Sequence, residues 1–280
     1  MRWHKLILHS LILLFLFNSF VFAGSSAQRI ISLGPSLTEE LYLLGVEDSI
    51  VGVTTYCTKP KPAQQKEKVG TVVGVNVEKI VSLDPDIILA TPLVDAKDKR
   101  KLEDLGLNVV NFTQVKDFTQ ICEQFLMLGE IVGKKEKAQD IILKANQKVN
   151  NIKSSIPKSA NRKVFIQVGA NPLFTMNKDF FINDIIKCAG GINIAENAGS
   201  GLYSRENVIS ANPDFIIIAT MGMVGEQEKT FWQRYKTLNA VKNNNIYIID
   251  SDLMCVPTPL SFVAALEQIV GFLYDGQDKL

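Results

Sequence analysis

The chain has 280 residues, with 30 Lys and Arg against 29 Asp and Glu, four cysteines and two histidines. This balance gives no electrostatic case for binding nucleic acid or an anionic membrane surface. Both histidines, His4 and His9, lie in the first 23 residues with Arg2 and Lys5, so the remainder carries 28 basic and 29 acidic residues and no imidazole. That excludes Ser-His-Asp and Cys-His catalysis, and His-based zinc sites, from the rest of the chain.

Residues 1–23, MRWHKLILHSLILLFLFNSFVFA, combine a basic start with an apolar run and end in small residues, Val21 and Ala23. This is the pattern of a cleavable secretory signal peptide, with processing before Gly24 or after Ala27, and an uncleaved anchor is the competing reading. No cysteine stands directly after the apolar run, so no lipoprotein attachment signal is expected. The expectation is an exported, periplasmic protein.

In chain order, 29–33 (RIISL) reads as a short buried strand. The next segment, GPSLTEELYLLG, reads as a helix. Ser36 and Glu39 form a capping box, Leu37, Leu41 and Leu44 make the apolar stripe, and Gly45 closes it. A strand follows at 50–54, then a Lys/Pro-rich loop at 55–71. Asn76 caps a short helix (VEKIVSL), Asp84-Pro85 makes a turn, and 86–90 (DIILA) is a buried strand. An exposed helix at 97–105, a strand at 108–112 and a helix at 118–131 complete the first half. This β-α alternation calls for a mostly parallel sheet.

The segment 134–156, KKEKAQDIILKANQKVNNIKSSI, reads as one long helix between Gly133 and Pro157. Ala138, Ile141, Ile142, Ala145, Val149, Ile152 and Ile156 draw one apolar stripe. The second half repeats the plan, with a strand at 163–168, a helix at 179–188, a Ser204-capped helix (RENVISA) and a strand at 214–219. A short helix at 230–237, a strand at 246–249 and a closing helix at 261–273 follow. EKIVSLDPDIILA at 78–90 aligns without a gap to ENVISANPDFIII at 206–218, and each has a cap residue two positions before its Glu. The halves therefore read as two related lobes, 28–133 and 160–280, on either side of the helix 134–156. Glu78 and Glu206 each sit in a first helical turn. There a carboxylate can simply complement the helix dipole, or the pair can dock onto basic sockets of a two-fold partner.

RIISLGPSLTEELYLLG, KPKPAQQKEKVGTVVGVNVEKIVSLDPDIILA, KVFIQVGANPLFTM, CAGGINIAEN and YSRENVISANPDFIIIA, with the long helix, resemble the cobalamin and iron-siderophore class of periplasmic binding proteins of ABC importers. The resemblance runs from Arg29 to Tyr274 and is closest to the cobalamin binders. It implies an α/β fold of two Rossmann-like lobes with mostly parallel sheets joined by a single long interlobe helix. It also implies a non-enzymatic monomer that captures a bulky metal chelate in the interlobe cleft. The chelate is a corrinoid such as cobalamin, or alternatively a siderophore or haem. The partner is the dimeric permease, met through Glu78 and Glu206.

The resemblance assigns Tyr56, Phe174 and Asp252 to the ligand, with no resident cofactor or metal. Three tryptophans of the cobalamin binders fall on Val72, Thr91 and about Ser200, which removes much stacking surface. Cys57, Met176, Met221, Met223, Met254 and Cys255 fall on loops expected at the cleft. Soft sulfur ligation of a metal and simple space-filling are both open there. The spacing of Cys57, Cys122, Cys188 and Cys255 leaves disulfides and free thiols open. Cys188 matches a disulfide-forming cysteine of the cobalamin binders, but the partner position holds an apolar residue near Val270, so no bridge is expected. An exported hydrolase lacks every motif it would need here, with no GxSxG, P-loop or HExxH.

Overall fold

The structure, a computed structural model, describes residues 28–157, 161–219 and 225–274. Residues 1–23 and the methionines Met221 and Met223 lie outside this range. The first lobe is built from β1 (Ile30–Leu33), α1 (Pro35–Leu44), β2 (Ile50–Val53), α2 (Val77–Ser82), β3 (Ile87–Ala90), α3 (Ala96–Asp104) and β4 (Val109–Asn111). Next come α4 (Phe118–Ile131) and the long α5 (Lys135–Ser155). The second lobe holds β5 (Arg162–Gln167), a small hairpin of β6 (Gly169–Ala170) and β7 (Leu173–Phe174), α6 (Phe181–Cys188) and β8 (Gly191–Asn193). It continues with α7 (Arg205–Ala211), β9 (Phe215–Ile218), α8 (Gly225–Trp232), α9 (Asn239–Lys242), β10 (Ile246–Ile248), α10 (Ser251–Cys255) and α11 (Pro259–Tyr274).

Each lobe has a four-stranded, fully parallel sheet, ordered β2-β1-β3-β4 and β10-β9-β5-β8. Read from the other edge, the second order matches the first strand for strand. β5 pairs with β8 and β9 as β1 pairs with β2 and β3. The strands are short and almost continuously apolar because both faces are covered. Ile87–Ala90 and Phe215–Ile218 are buried at every position.

The repeat extends to individual bonds. The Asn76 side chain accepts from Lys79 N at 2.9 Å, and that of Ser204 from Asn207 N at 3.0 Å. Asp84 and Asn212, each just before a proline, adopt φ of 44° and 46°. These are short polar residues of the kind that tolerate the left-handed region. Arg29 N donates to Asp86 at 2.6 Å and Asp86 N returns a bond to Arg29 O; Lys163 and Asp214 repeat the exchange at 2.9 and 2.8 Å.

The single interlobe connection is α5, and a second helix packs beside it, so both are shared between the two cores. Along α5, Ala138 packs in the first lobe's core, while Ala145 and Val149 pack in the second's; Ile142, between them, touches both. The helix α4 runs the opposite way and is shared too: Phe118, Ile121 and Cys122 belong to the second lobe's core, Phe125 and Leu128 to the first's. Asp184 of α6 accepts a bond from Phe118 N at 2.9 Å, so the second lobe helps cap α4.

Two sequence expectations change. Helix α1 starts at Pro35 with Gly34 as its N-cap and no side-chain cap, so Ser36 and Glu39 form no capping box. Proline suits the first helical position because its absent N–H is an orphan there in any case. The helix expected at 230–237 is α8, which begins earlier and ends at Trp232, whose fully buried ring anchors it. The hairpin β6–β7, the strand β8 and the helices α9 and α10 were too short to register as periodic patterns.

The α4–α5 contact is close because Gly129 has no side chain: a Cβ there would stand 2.6 Å from Ala138 Cβ. Gly129→Ala should therefore cost about 1–3 kcal/mol from overpacking. A lowered denaturant midpoint with unchanged slope in urea unfolding is the expected result.

Candidate functional site

In an open parallel sheet, ligands bind beyond the carboxyl ends of the strands. The loops from those ends of the two sheets meet here. Tyr56, Cys57 and Lys59 follow β2, and Asp250 and Asp252 follow β10. Lys59 Nζ lies 2.9 Å from Asp250 Oδ2 and 2.7 Å from Asp252 Oδ2, joining the lobes across 191 residues of sequence. Asp250 also caps α10, accepting from Asp252 N at 2.9 Å, which fixes both aspartates relative to each other.

Glu39 of α1 belongs to the same group. Its carboxyl is pushed up to about 7, first by partial burial and then by the Asp252 charge, with Lys59 opposing. Freed from the capping role that spacing suggested for it, Glu39 is a cleft-side carboxylate. The neighbouring Glu40 is buried, and that burial, with the charge of Glu39, raises its pKa well above the usual carboxylate range.

The expected ligand residues lie on these loops. Tyr56 is 52% exposed beside Lys59. Phe174, on β7, is half-buried: a Cβ on Gly201 would stand 2.0–2.5 Å from its ring atoms, so that glycine's backbone covers one face of the ring. Thr91 is buried with its methyl against Gly34, where a Cβ would come within 2.2 Å. Lys59 and Glu39 are site residues that sequence reasoning missed. Their partners lie on the other lobe, and no local pattern announces that.

The described sulfur atoms on these loops are buried or partly buried. Cys57 and Met254 are fully buried, and the Thr38 and Thr54 hydroxyl oxygens stand 3.1 and 3.2 Å from the Cys57 sulfur. Met176 packs partly buried against the second lobe's core. All four cysteines are unpaired, and burial pushes the Cys255 thiol up to about 11, away from the thiolate that would ligate a metal. Among the described residues no group of three Cys, Asp or Glu side chains is arranged to hold a metal ion.

Glu78 and Glu206 stand exposed in the first turns of α2 and α7. Hydrogen bonds from its own backbone N–H and from the Ser204 hydroxyl hold the Glu206 carboxyl below the usual range. Next to it, Arg205 lies over the Phe231 ring at 3.9 Å and bonds Glu228 at 2.9 and 3.2 Å. Glu228 in turn accepts from Gln167 at 2.7 Å, and Gln167 accepts from the buried Trp232 indole at 2.7 Å. This network ties the start of α7 to α8 and to the end of β5. Two shallow concavities of about 530 and 520 Å³ lie on single lobes, around Lys163, Glu196 and Tyr203 and around Tyr42, Glu47 and Lys66. Neither gathers residues of both lobes.

Two parallel-sheet lobes on a shared helical spine, with carboxyl-end loops that meet at the Lys59 bridge, have the architecture of a two-lobed solute-binding protein. The chain belongs to the periplasmic binding protein family, whose sequence pattern matches residues 30–253. It is 31% identical over 267 residues to the uncharacterized ABC transporter substrate-binding lipoprotein YvrC of Bacillus subtilis, covering 92% of this chain and 83% of that protein. The crystal structure of the periplasmic vitamin B12 binding protein BtuF of Vibrio cholerae superposes with a TM-score of 0.80 at 26% identity, covering 90% of this chain and 98% of that one. A possible iron-binding (periplasmic solute-binding) protein from Staphylococcus epidermidis superposes at 0.76 with 29% identity, covering 88% and 98%. Substrate-binding proteins of ABC importers work in transport with permease partners.

The raised pKa of Glu39 has a definite sign. A carboxyl whose folded value lies above its ordinary 4.5 favours the folded state in protonated form, so its contribution is complete below about 4.5 and lost as pH rises through about 7. Glu39→Gln should stabilise the protein above pH 7 by about 1 kcal/mol, a figure reduced for the solvent reaching this half-buried group. The gain should vanish near pH 4, as read from urea midpoints across that range.

Proposed function

We propose that the protein is the exported solute-binding component of an ABC importer. It captures a bulky metal chelate, a corrinoid such as cobalamin first, in the interlobe cleft and delivers it to the permease. In this reading it acts as a monomer made of lobes 28–133 and 160–280 with the spine 134–156, released to the periplasm by cleavage of a signal peptide within 1–23. The observation that carries the reading is the meeting of the carboxyl-end loops of both sheets, where Lys59 bridges to Asp250 and Asp252 beside the exposed Tyr56. Tyr56 and the free part of Phe174 offer apolar faces to a macrocycle, and Asp252 offers an acceptor for its polar edge. Support for a corrinoid comes from the similarity to the vitamin B12 binding protein of Vibrio cholerae over nearly the whole of both chains.

Docking is assigned to Glu78 and Glu206. The matched caps, left-handed turns and reciprocal backbone bonds give the two carboxylates equivalent settings in the two lobes. In each lobe a helix that returns antiparallel to its strands begins at the strands' carboxyl ends, so both glutamates belong to the cleft side of the molecule. A shared helical core between the lobes supports a nearly fixed separation for them, suited to two sockets on a two-fold permease.

A ferric siderophore or haem is the second reading. The exposed Tyr56 phenol, which can ligate ferric iron, favours it, as does the similarity to the Staphylococcus protein.

Absorbance titration of the protein beginning at Gly24 with cyanocobalamin, haemin and a ferric hydroxamate distinguishes the cargoes: saturable binding of cyanocobalamin in preference to the other two is the expected result. With the cognate permease in proteoliposomes, Glu78→Ala plus Glu206→Ala should leave cargo affinity unchanged and lower uptake about tenfold or more. Full uptake by that variant refutes the docking assignment.

A further inference from the structure

The charges at the cleft are unequal. Three carboxylates, Glu39, Asp250 and Asp252, face one ammonium, Lys59, with the buried Glu40 next to Glu39. Both aspartate contacts are short, at 2.9 and 2.7 Å, and all their partners are partly solvated, with side-chain exposures of 47% for Lys59 and 50% and 37% for the aspartates. Lys59 comes from the first lobe and the aspartates from the second, so a cargo seated between Tyr56 and Asp252 has to compete with this bridge or leave Asp252 unused.

Two kinds of cargo edge meet this arrangement differently. A donor edge, made of amides or amines, can bond Asp250 and Asp252 directly. It releases Lys59, whose half-exposed ammonium on a flexible stem hydrates at little cost. A carboxylate edge can pair only with Lys59. Drawing the ammonium away leaves two aspartates uncompensated beside an incoming anion, with Glu39 adding a third negative charge once it is ionised. The bonds from Asp252 and Asp250 hold the Lys59 pKa above its ordinary value, so the ammonium stays charged and the asymmetry persists through the neutral range.

We propose that Lys59 stands in for the donor edge of the cargo at Asp250 and Asp252, and so makes the cleft select a chelate fringed by amides or amines over the same chelate fringed by carboxylates. This rests on the reading of the interlobe cleft as the cargo site. It goes beyond that reading in making Lys59 and Glu39 determinants of specificity and in ranking cargoes by the chemistry of their periphery. Lys59 acts here as a competitor of the cargo, not as its ligand, and that fixes the sign of its removal.

The test uses a corrinoid pair that shares a core and differs at the edge, and a ferric pair that differs in net charge. Dicyanocobinamide, with amides, is set against dicyanocobyrinic acid, with carboxylates. A neutral ferric trihydroxamate is set against the trianionic ferric tricatecholate. Dissociation constants are measured at pH 8 for the wild type, Lys59→Ala and Lys59→Gln, with circular dichroism melting as the folding control. The wild type should bind the amide-edged or neutral member of a pair at least about tenfold more tightly. Removing Lys59 should tighten that member about three- to tenfold, the scale of two solvated ion pairs given up, and should weaken the anionic member.

Equal or reversed affinity within a pair that binds overturns the proposal, and so does a loss of affinity for the donor-edged member in both Lys59 variants. Binding of the neutral ferric chelate with the expected preference, and of neither corrinoid, refutes the corrinoid reading and supports the charge selection. Binding of no probe to any of the three proteins overturns both.

Discussion

The constraint on which the rest of the molecule depends is the sharing of α4 and α5 between two cores. Each lobe's core draws on both helices. Phe125, Leu128 and Ala138 close the first core, and Phe118, Ile121, Ala145 and Val149 close the second. Because interiors are packed at crystal-like density, a swing of one lobe on the other has to shear these two helices along their packed faces. The contact between Gly129 and Ala138 sets how closely they lie. A single surface helix with its stripe on one domain would impose no such restraint. Here one stripe is divided between two domains, with Ile142 at the point of change.

That division explains how one pattern of secondary structure serves twice. Strand order, caps, left-handed turn residues and the exchange of bonds between Asp86 and Arg29 recur in the second lobe with Asp214 and Lys163. The cleft-side loops do not recur. The first lobe carries the 55–71 loop with Lys59, and the second carries the β6–β7 hairpin and the α10 turn with its paired aspartates. The shared scaffold fixes where the loops meet, while their separate chemistry determines what they can hold. This is the usual division between a fold and the site placed on it.

Much of the scaffold was legible in the sequence because it is written in local chemistry. A cap two residues before a glutamate, a polar residue before proline in the left-handed region and a β-branched run each act within a few residues, and their coincidence in two places exposed the repeat. The site was less legible. Glu39 looked like half of a capping box, since spacing alone does not show that Pro35 and Gly34 already begin the helix. Cys57 and Met254 are buried, and segments this short carry no periodicity that separates an inward from a cleft-facing side chain. Asp252 could be singled out only by resemblance, and its partner Lys59 stands on the opposite lobe, where only the assembled fold brings them together.

The cross-lobe bridge and the shared helices act on different aspects of the same cleft. The helices set its width through many small, non-directional contacts that no single solvated ion pair can oppose, since such a pair contributes about 0–1 kcal/mol. The bridge therefore cannot be what holds the lobes together. Its effect is on the charge presented between them: Lys59 offsets part of the acidic group of Glu39, Asp250 and Asp252, opposing the rise that burial first and the Asp252 charge second impose on Glu39. In the proposed selection, a cargo that brings its own donors hydrogen-bonds to that acidic group in place of Lys59, while one that brings more negative charge is repelled by it. With the width set by packing and the polarity by a few solvated charges, discrimination between chelates of similar size falls to their edges.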